Sequence, residues 1–129
     1  MKTILITIRE DASVFDAAKK MAESGIGSLL VTDARNKIYG IVTDTDLVRR
    51  AIAAKKMDAK IKDLATAPLI GISPEADLSE AAKMMGAKKI KRLAVVKGKD
   101  VVGILSSRDI AELSPSLYDL VAEKAHTHG

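Results

Sequence analysis

Two seven-residue stretches carry residue types able to grip a phosphorylated sugar: Gly40-Ile41-Val42-Thr43-Asp44-Thr45-Asp46 and Gly103-Ile104-Leu105-Ser106-Ser107-Arg108-Asp109. Each runs glycine, two apolar residues, a hydroxyl residue, two variable residues, then aspartate. An apolar-periodic run follows each, Leu47-Val48 with Ala51-Ile52, or Ile110-Ala111 with Leu113. The pattern predicts a short buried strand that ends in a hydroxyl and turns directly into a helix, with Asp46 or Asp109 as the cap. Amides at a helix start are unpaired and attract anions, and an ionised carboxylate can accept two hydroxyl hydrogen bonds. Thr43 or Ser106 with those amides would hold a phosphate, and Asp46 or Asp109 a ribose diol. A single copy reads better as a capped turn without a ligand. Two copies in matching frames favour the clamp.

The elements that must position these stretches are themselves duplicated. Gly40 and Gly103, Thr43 and Ser106, and Asp46 and Asp109 are each 63 positions apart, while Ala17-Ala18-Lys19-Lys20-Met21 matches Ala81-Ala82-Lys83-Met84-Met85 at an offset of 64. The one-residue difference falls in the turns Asp33–Lys37 and Lys97–Asp100, where length changes are tolerated. In each copy a short strand (Thr3 to Ile8; Leu69 to Ile72) leads to a helix opened by Ser13-x-x-Asp16 or Asp77-x-x-Glu80, which resemble capping boxes. Val14, Ala17, Ala18 and Met21, and Leu78, Ala81, Ala82 and Met85, fall on one helical face, and Gly25 and Gly86 are expected to end these helices. Two strands joined by a turn follow (Ser28 to Thr32 with Ile38 to Val42; Leu93 to Val96 with Val101 to Leu105), then a closing helix. The fold class is α/β in the α+β sense, with β-α-β-β-α occurring twice. Residues 1–56 form the first repeat, 57–67 a linker in which the helix runs on from Lys55, 68–113 the second repeat, and 114–129 a C-terminal helix and tail. That helix is expected to start at Pro115, capped by Ser114, and to reach about Lys124, leaving His126 and His128 in a frayed tail.

Composition narrows the function. The 129 residues are 47% hydrophobic and 29% charged, as in a soluble globular protein, but only 2% aromatic, so the core must be aliphatic and stacked platforms for single-stranded nucleic acid are disfavoured. With no cysteine there is no disulfide, thiolate metal site or cysteine nucleophile. No apolar run approaches the ~20 residues of a membrane span, and the N-terminus reads as a strand rather than a signal peptide, so a cytoplasmic protein without a membrane role is expected. The net charge of +4 suits an anionic ligand as well as a nucleic acid, although by itself it is explained most simply as a basic surface that keeps the protein soluble. No nucleophile–base pair or metal-ligand cluster is recognisable, so the chain is not expected to be an enzyme.

The duplicated β-α-β-β-α unit with its glycine-to-aspartate stretch resembles the CBS domain, named for the regulatory domain of cystathionine beta-synthase, and two in tandem resemble a Bateman module. The resemblance covers Ile4 to Leu113. Ile72-Ser73-Pro74-Glu75-Ala76-Asp77-Leu78, Lys89-Ile90-Lys91-Arg92-Leu93-Ala94-Val95-Val96 and Ile61-Lys62-Asp63-Leu64 before Pro68 support it. Leu30 and Ala94 stand where relatives commonly carry proline, and Ile26-Gly27-Ser28 where basic residues often occur. The resemblance implies a non-enzymatic, energy-sensing regulator that binds AMP, ADP or ATP, or in some relatives NAD or S-adenosylmethionine. It also implies two repeats about a pseudo-twofold axis, with ligand clefts between them. Thr43 and Asp46 would then face Ala76, Ile90, Lys91 and Arg92, and Ser106, Arg108 and Asp109 would face Ala12, Ile26, Gly27 and Ser28. Asp46 and Asp109 would hold ribose; Thr43, Ser106, Lys91, Arg92 and Arg108 phosphate; Ala12, Ile26, Gly27, Ser28, Ala76 and Ile90 adenine. With Lys91 and Arg92 opposite, the Asp46 side is expected to bind a phosphorylated ligand more tightly.

Two other readings stand beside this one. Arg49-Arg50, Lys55-Lys56, Lys60, Lys62 and the Lys88 to Arg92 run could form a basic surface for nucleic acid. Alternatively, the module could serve dimerisation alone, with empty clefts. A regulated protein acting in trans is the expected partner. A homodimer is also expected, a disc of four repeats joined through Ala17, Ala18 and Met21 and through Ala81, Ala82 and Met85.

Overall fold

The structure is a computed structural model that describes residues 5–127, with side chains as far as Val121. The chain divides into two compact units, Leu5–Leu69 and the residues from Ile70 onward. In the first, β1 (Thr7–Arg9) leads to α1 (Val14–Ser24), then β2 (Ser28–Thr32) and β3 (Ile38–Thr43). The chain turns at once into α2 (Asp44–Asp46), which winds on as a π-helix over Leu47–Ile52, and α3 (Ile61–Leu64) follows. β2 is the central strand, parallel to β1 and antiparallel to β3, with Ser28 opposite Thr43 and Leu30 opposite Ile41. The predicted β1 spans Thr3 to Ile8; the strand starts at Thr7 and reaches Arg9, Leu5 and Ile6 lie outside it, and residues 1–4 lie outside the described residues.

Local chemistry explains these boundaries. Ser13 caps α1, accepting from the Asp16 amide at 3.0 Å while the Asp16 carboxylate accepts from the Ser13 amide at 3.4 Å. Gly25 ends α1 in the left-handed region at φ 65°, which a glycine adopts without steric cost. Val14, Ala17 and Met21 then face Leu29, Val31, Val42, Leu47 and Ala51 in an aliphatic core. α3 belongs to this core as well, since Ile61 is fully buried and Leu64 nearly so. The helix expected to continue from Lys55 ends at Ile52 instead, and α3 starts afresh where the Asp63 carboxylate accepts from the Lys60 amide at 3.2 Å.

Five hydrogen bonds pin the segment around α3. The Ile61 and Lys62 amides donate to the Ala12 and Glu10 carbonyls, Ile41 and Thr66 exchange backbone hydrogen bonds of 3.0 and 2.8 Å, and Arg50 Nη1 donates to the Leu64 carbonyl at 2.8 Å. Gly40 permits the approach of Thr66, because a β-carbon there would lie 2.9 Å from the Thr66 carbonyl oxygen.

The second unit repeats the order with β4 (Gly71–Ile72), α4 (Leu78–Lys88), β5 (Arg92–Lys97), β6 (Asp100–Ser106) and α5 (Ser107–Leu113), and adds α6 (Pro115–Thr127). β5 is central, parallel to β4 and antiparallel to β6. Asp77 caps α4, accepting from the Glu80 amide at 2.8 Å. Gly86 does not end α4 as predicted: it is buried within the helix, and Lys89 takes the left-handed position at φ 55°. α6 packs against α4 and α5, contributing Leu117, Leu120 and Val121 to the core of this unit. It extends past the expected Lys124 to Thr127, so the backbone at His126 is helical, and His128 lies outside the described residues.

The helix residues expected to join two chains are mostly spent inside each chain. Ala17, Met21, Ala81, Ala82 and Met85 are buried in their own units, and of that set only Ala18 is exposed. Their small or flexible side chains let helix and sheet approach within one repeat.

Gly40→Ala must displace the backbone at Thr66, which over-packing of this kind costs about 1–3 kcal/mol; urea unfolding should show the loss, with the m-value unchanged. A second expectation concerns Tyr39, whose hydroxyl donates to Glu10 Oε1 at 2.8 Å. Burial, and then the bond to Glu10, push its phenol up from 10.0 to about 12. The folded value lies above the unfolded one, so this contribution to stability is complete below pH 10 and is lost as the pH rises through about 12. In a Tyr118→Phe chain, phenolate absorbance should therefore rise near pH 12, whereas titration near 10 would contradict the assignment.

Candidate functional site

In both repeats the last strand residue and the aspartate three positions on hold each other. The Asp46 amide donates to Thr43 Oγ1 at 3.1 Å and the Thr43 amide to Asp46 Oδ2 at 2.9 Å. The Asp109 amide donates to Ser106 Oγ at 3.1 Å and the Ser106 amide to Asp109 Oδ2 at 2.8 Å. These are capping boxes, so the helix caps are Thr43 and Ser106, and the aspartates occupy the third helical position rather than the cap position expected of them. The hydroxyl is required first because a short acceptor must reach the third amide. The carboxylate is required second because it reaches back to the strand.

After these bonds each site keeps specific capacity. The Thr43 and Ser106 hydroxyl protons are still available to donate. A carboxylate offers about four acceptor positions, so Asp46 and Asp109 can still receive hydroxyl groups, chiefly at Oδ1. Both aspartates are half-buried, which leaves them open to a ligand and to solvent.

The surroundings of the two boxes differ. In the second repeat Arg92 stands directly opposite Ser106 across β5 and β6, and the Ser107 amide donates to the Lys91 carbonyl at 2.8 Å. Directly opposite residues share a sheet face with β-carbons about 4.5–5.5 Å apart. Leu93 and Val95 point to the helix-covered core, so Arg92 and Ser106 lie on the other face. Arg108 follows one residue before Asp109, with its guanidinium Nε 4.0 Å from Glu112, an exposed pair that holds it weakly.

In the first repeat the corresponding neighbours are Ser28 opposite Thr43, and Gly27, whose carbonyl accepts from the Asp44 amide at 2.9 Å. Asp44 Oδ1 accepts from the Thr45 amide at 2.8 Å, and a β-carbon at Gly27 would meet Asp44 Oδ2 at 2.9 Å. A carboxylate thus lies against the position that Lys91 occupies in the other repeat. The strand approach and helix start of the second repeat thus carry three cations, Lys91, Arg92 and Arg108. Those of the first repeat carry Asp44 and Asp46, with Gly27, Ser28 and Thr45 at the positions equivalent to the three cations.

Each strand approach therefore sits beside the box of its own repeat: Ile26, Gly27 and Ser28 with Thr43–Asp46, and Ile90, Lys91 and Arg92 with Ser106–Asp109. Ile26, Ile90 and Ala12 are partly buried against the cores, and Ala76 is half-buried in a turn where its amide donates to the Ser73 carbonyl. Sequence reasoning passed over Asp44 and Ser107, the residues whose amides tie each helix start to the strand approach. The duplication offset, which aligns Gly27 with Lys91 and Asp44 with Ser107, was the signal that pointed to them.

A separate open groove of about 550 Å³ in the first repeat is lined by Thr7, Arg9, Asp11, Ala12, Asp16 and Lys20, among others. Its charges are matched: Arg9 pairs with Asp11 at 3.4 Å, and Lys20 Nζ donates to the Thr7 carbonyl. Of the predicted ligand residues it contains Ala12 alone. Arg50, one of the cations considered for nucleic acid, is turned to the Leu64 carbonyl. Among the described residues there is no group of His, Cys, Asp and Glu that could hold a metal ion, and no helix long and apolar enough to cross a membrane.

This geometry has known counterparts. The CBS domain family model matches residues 1–53 and again 61–116. The chain belongs to the CBS domain family and carries two such domains in tandem. It is 31% identical over 124 residues to an uncharacterised protein of Methanopyrus kandleri, covering 93% of this chain and 63% of that one. The chain spans 63–68% of the length of the first four curated relatives it matches. Among solved structures it resembles the CBS domain protein PAE2072 of Pyrobaculum aerophilum complexed with AMP, with a TM-score of 0.79, 25% identity and 95% of each chain covered. It also resembles the CBS domain pair of MJ0100 in complex with 5′-methylthioadenosine and S-adenosyl-L-methionine, with a TM-score of 0.80, 28% identity, and 90% and 92% covered.

Because the hydroxyls cap helices, Thr43→Ala and Ser106→Ala should each destabilise the chain by about 0.5–2 kcal/mol without any ligand present. Chemical denaturation of the two variants checks this. A Thr43→Ser change should recover most of the loss.

Proposed function

We propose that the chain is a non-enzymatic regulatory module that binds an adenine nucleotide, AMP, ADP or ATP, and acts on a separate protein. The observation that carries this reading is the pairing of Arg92 with Ser106, and of Lys91 with Ser107, beside the Asp109 carboxylate. Two cations, a hydroxyl donor and a diol acceptor are the complement of a nucleoside phosphate. The relatives solved with AMP and with adenosyl compounds give the same ligand class independent support.

The phosphorylated ligand belongs at the Ser106–Asp109 end. Asp109 receives the ribose hydroxyls through Oδ1, Ser106 donates to phosphate, and Arg92 offers a planar fork that can bond two phosphate oxygens at once. Ile90 supplies apolar cover for the base. At the Thr43–Asp46 end the Asp44 and Asp46 carboxylates oppose a phosphate, so this end is the weaker one for AMP. On this reading the Ser106–Asp109 end binds AMP more tightly than the Thr43–Asp46 end.

Titration calorimetry with AMP and adenosine tests the reading. Hydrogen bonds to charged groups contribute about 1.5–3 kcal/mol, so Arg92→Ala should weaken AMP roughly ten- to a hundredfold and leave adenosine almost unchanged. Asp109→Asn, which keeps an oxygen for the cap, should weaken both ligands, whereas Asp46→Asn should spare the tighter AMP isotherm. Loss of that isotherm in Asp46→Asn alone would put the nucleotide at the wrong end, and no heat with any adenine nucleotide would sink the proposal.

A further inference from the structure

The net charge of the chain is not spread evenly. Residues 49–63 hold six Lys and Arg residues against Asp58 and Asp63, a net of +4 that equals the net charge of all 129 residues. This stretch is a loop closed on itself. It leaves the π-helix at Ile52 and enters α3 at Ile61, and its ends are tied where Arg50 Nη1 donates to the Leu64 carbonyl at 2.8 Å. Between them the Lys56 amide donates to the Ala51 carbonyl, the Lys55 amide to that of Ile52 and the Ala59 amide to that of Lys56, so the loop is compact. Arg49, Lys55, Lys56, Lys60 and Lys62 are all exposed, and none of them is in an ion pair among the described residues, whereas Arg9, Lys19 and Arg108 each have a carboxylate partner. Lys55 keeps its side chain at φ 58°, in the left-handed region where glycine is the unstrained choice. The duplication does not require these charges: 63 positions on, Glu112, Tyr118 and Asp119 stand where Arg49, Lys55 and Lys56 do.

We infer that this loop is a docking surface for the phosphodiester backbone of a nucleic acid, recognised through its charge. Five unpaired cations spread along one loop match a line of phosphates better than a single one, and their docking releases the counterions that such a polyanion holds. The loop has no aromatic residue to stack on a base and no Asn or Gln to read adenine, so contacts to phosphate carry the affinity. An anionic bilayer is the poorer match. Membrane binding draws on buried apolar area as well as charge, and over residues 53–63 Met57 is the one exposed large apolar side chain. The surface uses none of the residues assigned to the adenine nucleotide, so it stands independently of that reading.

Fluorescence anisotropy of short labelled DNA and RNA duplexes titrated with the full chain reads the outcome, with circular dichroism to confirm folding. The wild type should bind at low salt, and four or five phosphate contacts should make its affinity fall roughly a hundred- to five-hundredfold between about 50 and about 200 mM salt. Duplexes of unrelated sequence should bind alike. Lys56→Glu with Lys62→Glu should weaken binding by roughly tenfold or more at low salt and flatten the slope of log affinity against log salt by about 2. Lys97→Glu with Lys99→Glu, the same change of charge at exposed positions of the turn between β5 and β6, should leave affinity and slope nearly as they were. Binding of either duplex in this pattern supports the inference, and the tighter one names the source of the backbone. No binding of either duplex at low salt, an equal loss in the two double variants, or phosphatidylserine vesicles that bind the wild type as tightly as the duplexes each overturns it.

Discussion

The reciprocal bond between a strand-ending hydroxyl and the aspartate three residues later governs this fold at two points. It fixes where β3 and β6 stop and the angle at which the following helix leaves. That helix in turn carries Leu47 and Ala51, or Ile110, into the core. In the proposed function the same atoms also serve the ligand. Each aspartate holds its own backbone with Oδ2, so the local structure is complete without a ligand. Polar groups held by short internal bonds in this way are preorganised, and a ligand of the proposed kind would not have to order them.

Duplication supplied two equal frames, and substitution made them unequal. The exchange of Lys91 for Gly27 and of Ser107 for Asp44 turns a cationic strand end into an anionic one without altering a backbone hydrogen bond. The helix after the box has also diverged. It is α-helical in the second repeat and π-wound in the first, where the Ala53 amide reaches the Val48 carbonyl and the Lys56 amide reaches Ala51. The π-wound helix and α3 both contribute to the core of the first repeat, through Leu47 and Ala51 and through Ile61 and Leu64, and Arg50 links them by its bond to the Leu64 carbonyl.

Much of this was legible in the sequence because the signals were local. The period of α1, the Ser13 box, the turns near Asn36 and Gly98, and the strand ranges of β2 and β3 follow from side-chain spacing and turn chemistry. The capping hydroxyls were visible too, although their roles were exchanged with those of the aspartates, since a cap and its third helical residue have similar composition. Gly86 misled because glycine serves close packing as well as helix ends, and the choice depends on α6, some 30 residues away. Ile61 and Leu64 looked like part of a polar connector, because two apolar residues among lysines and aspartates give no period. The charge contrast between the two ends was written in Gly27, Asp44, Lys91 and Ser107, but only strand pairing says which of them are neighbours.

The approach of Thr66 to Gly40 also bears on how the chain behaves in a crowd. β3 is the outer strand of its sheet, and an outer strand with free backbone groups is a template on which another chain can add a strand. Here the Ile41 amide and carbonyl are both taken by Thr66, and the Thr43 amide is taken by the Asp46 carboxylate. The segment leading to the second repeat thus acts as a short false strand, closing this border of the sheet to edge-to-edge growth. A side chain at position 40 that pushed Thr66 away would reopen it.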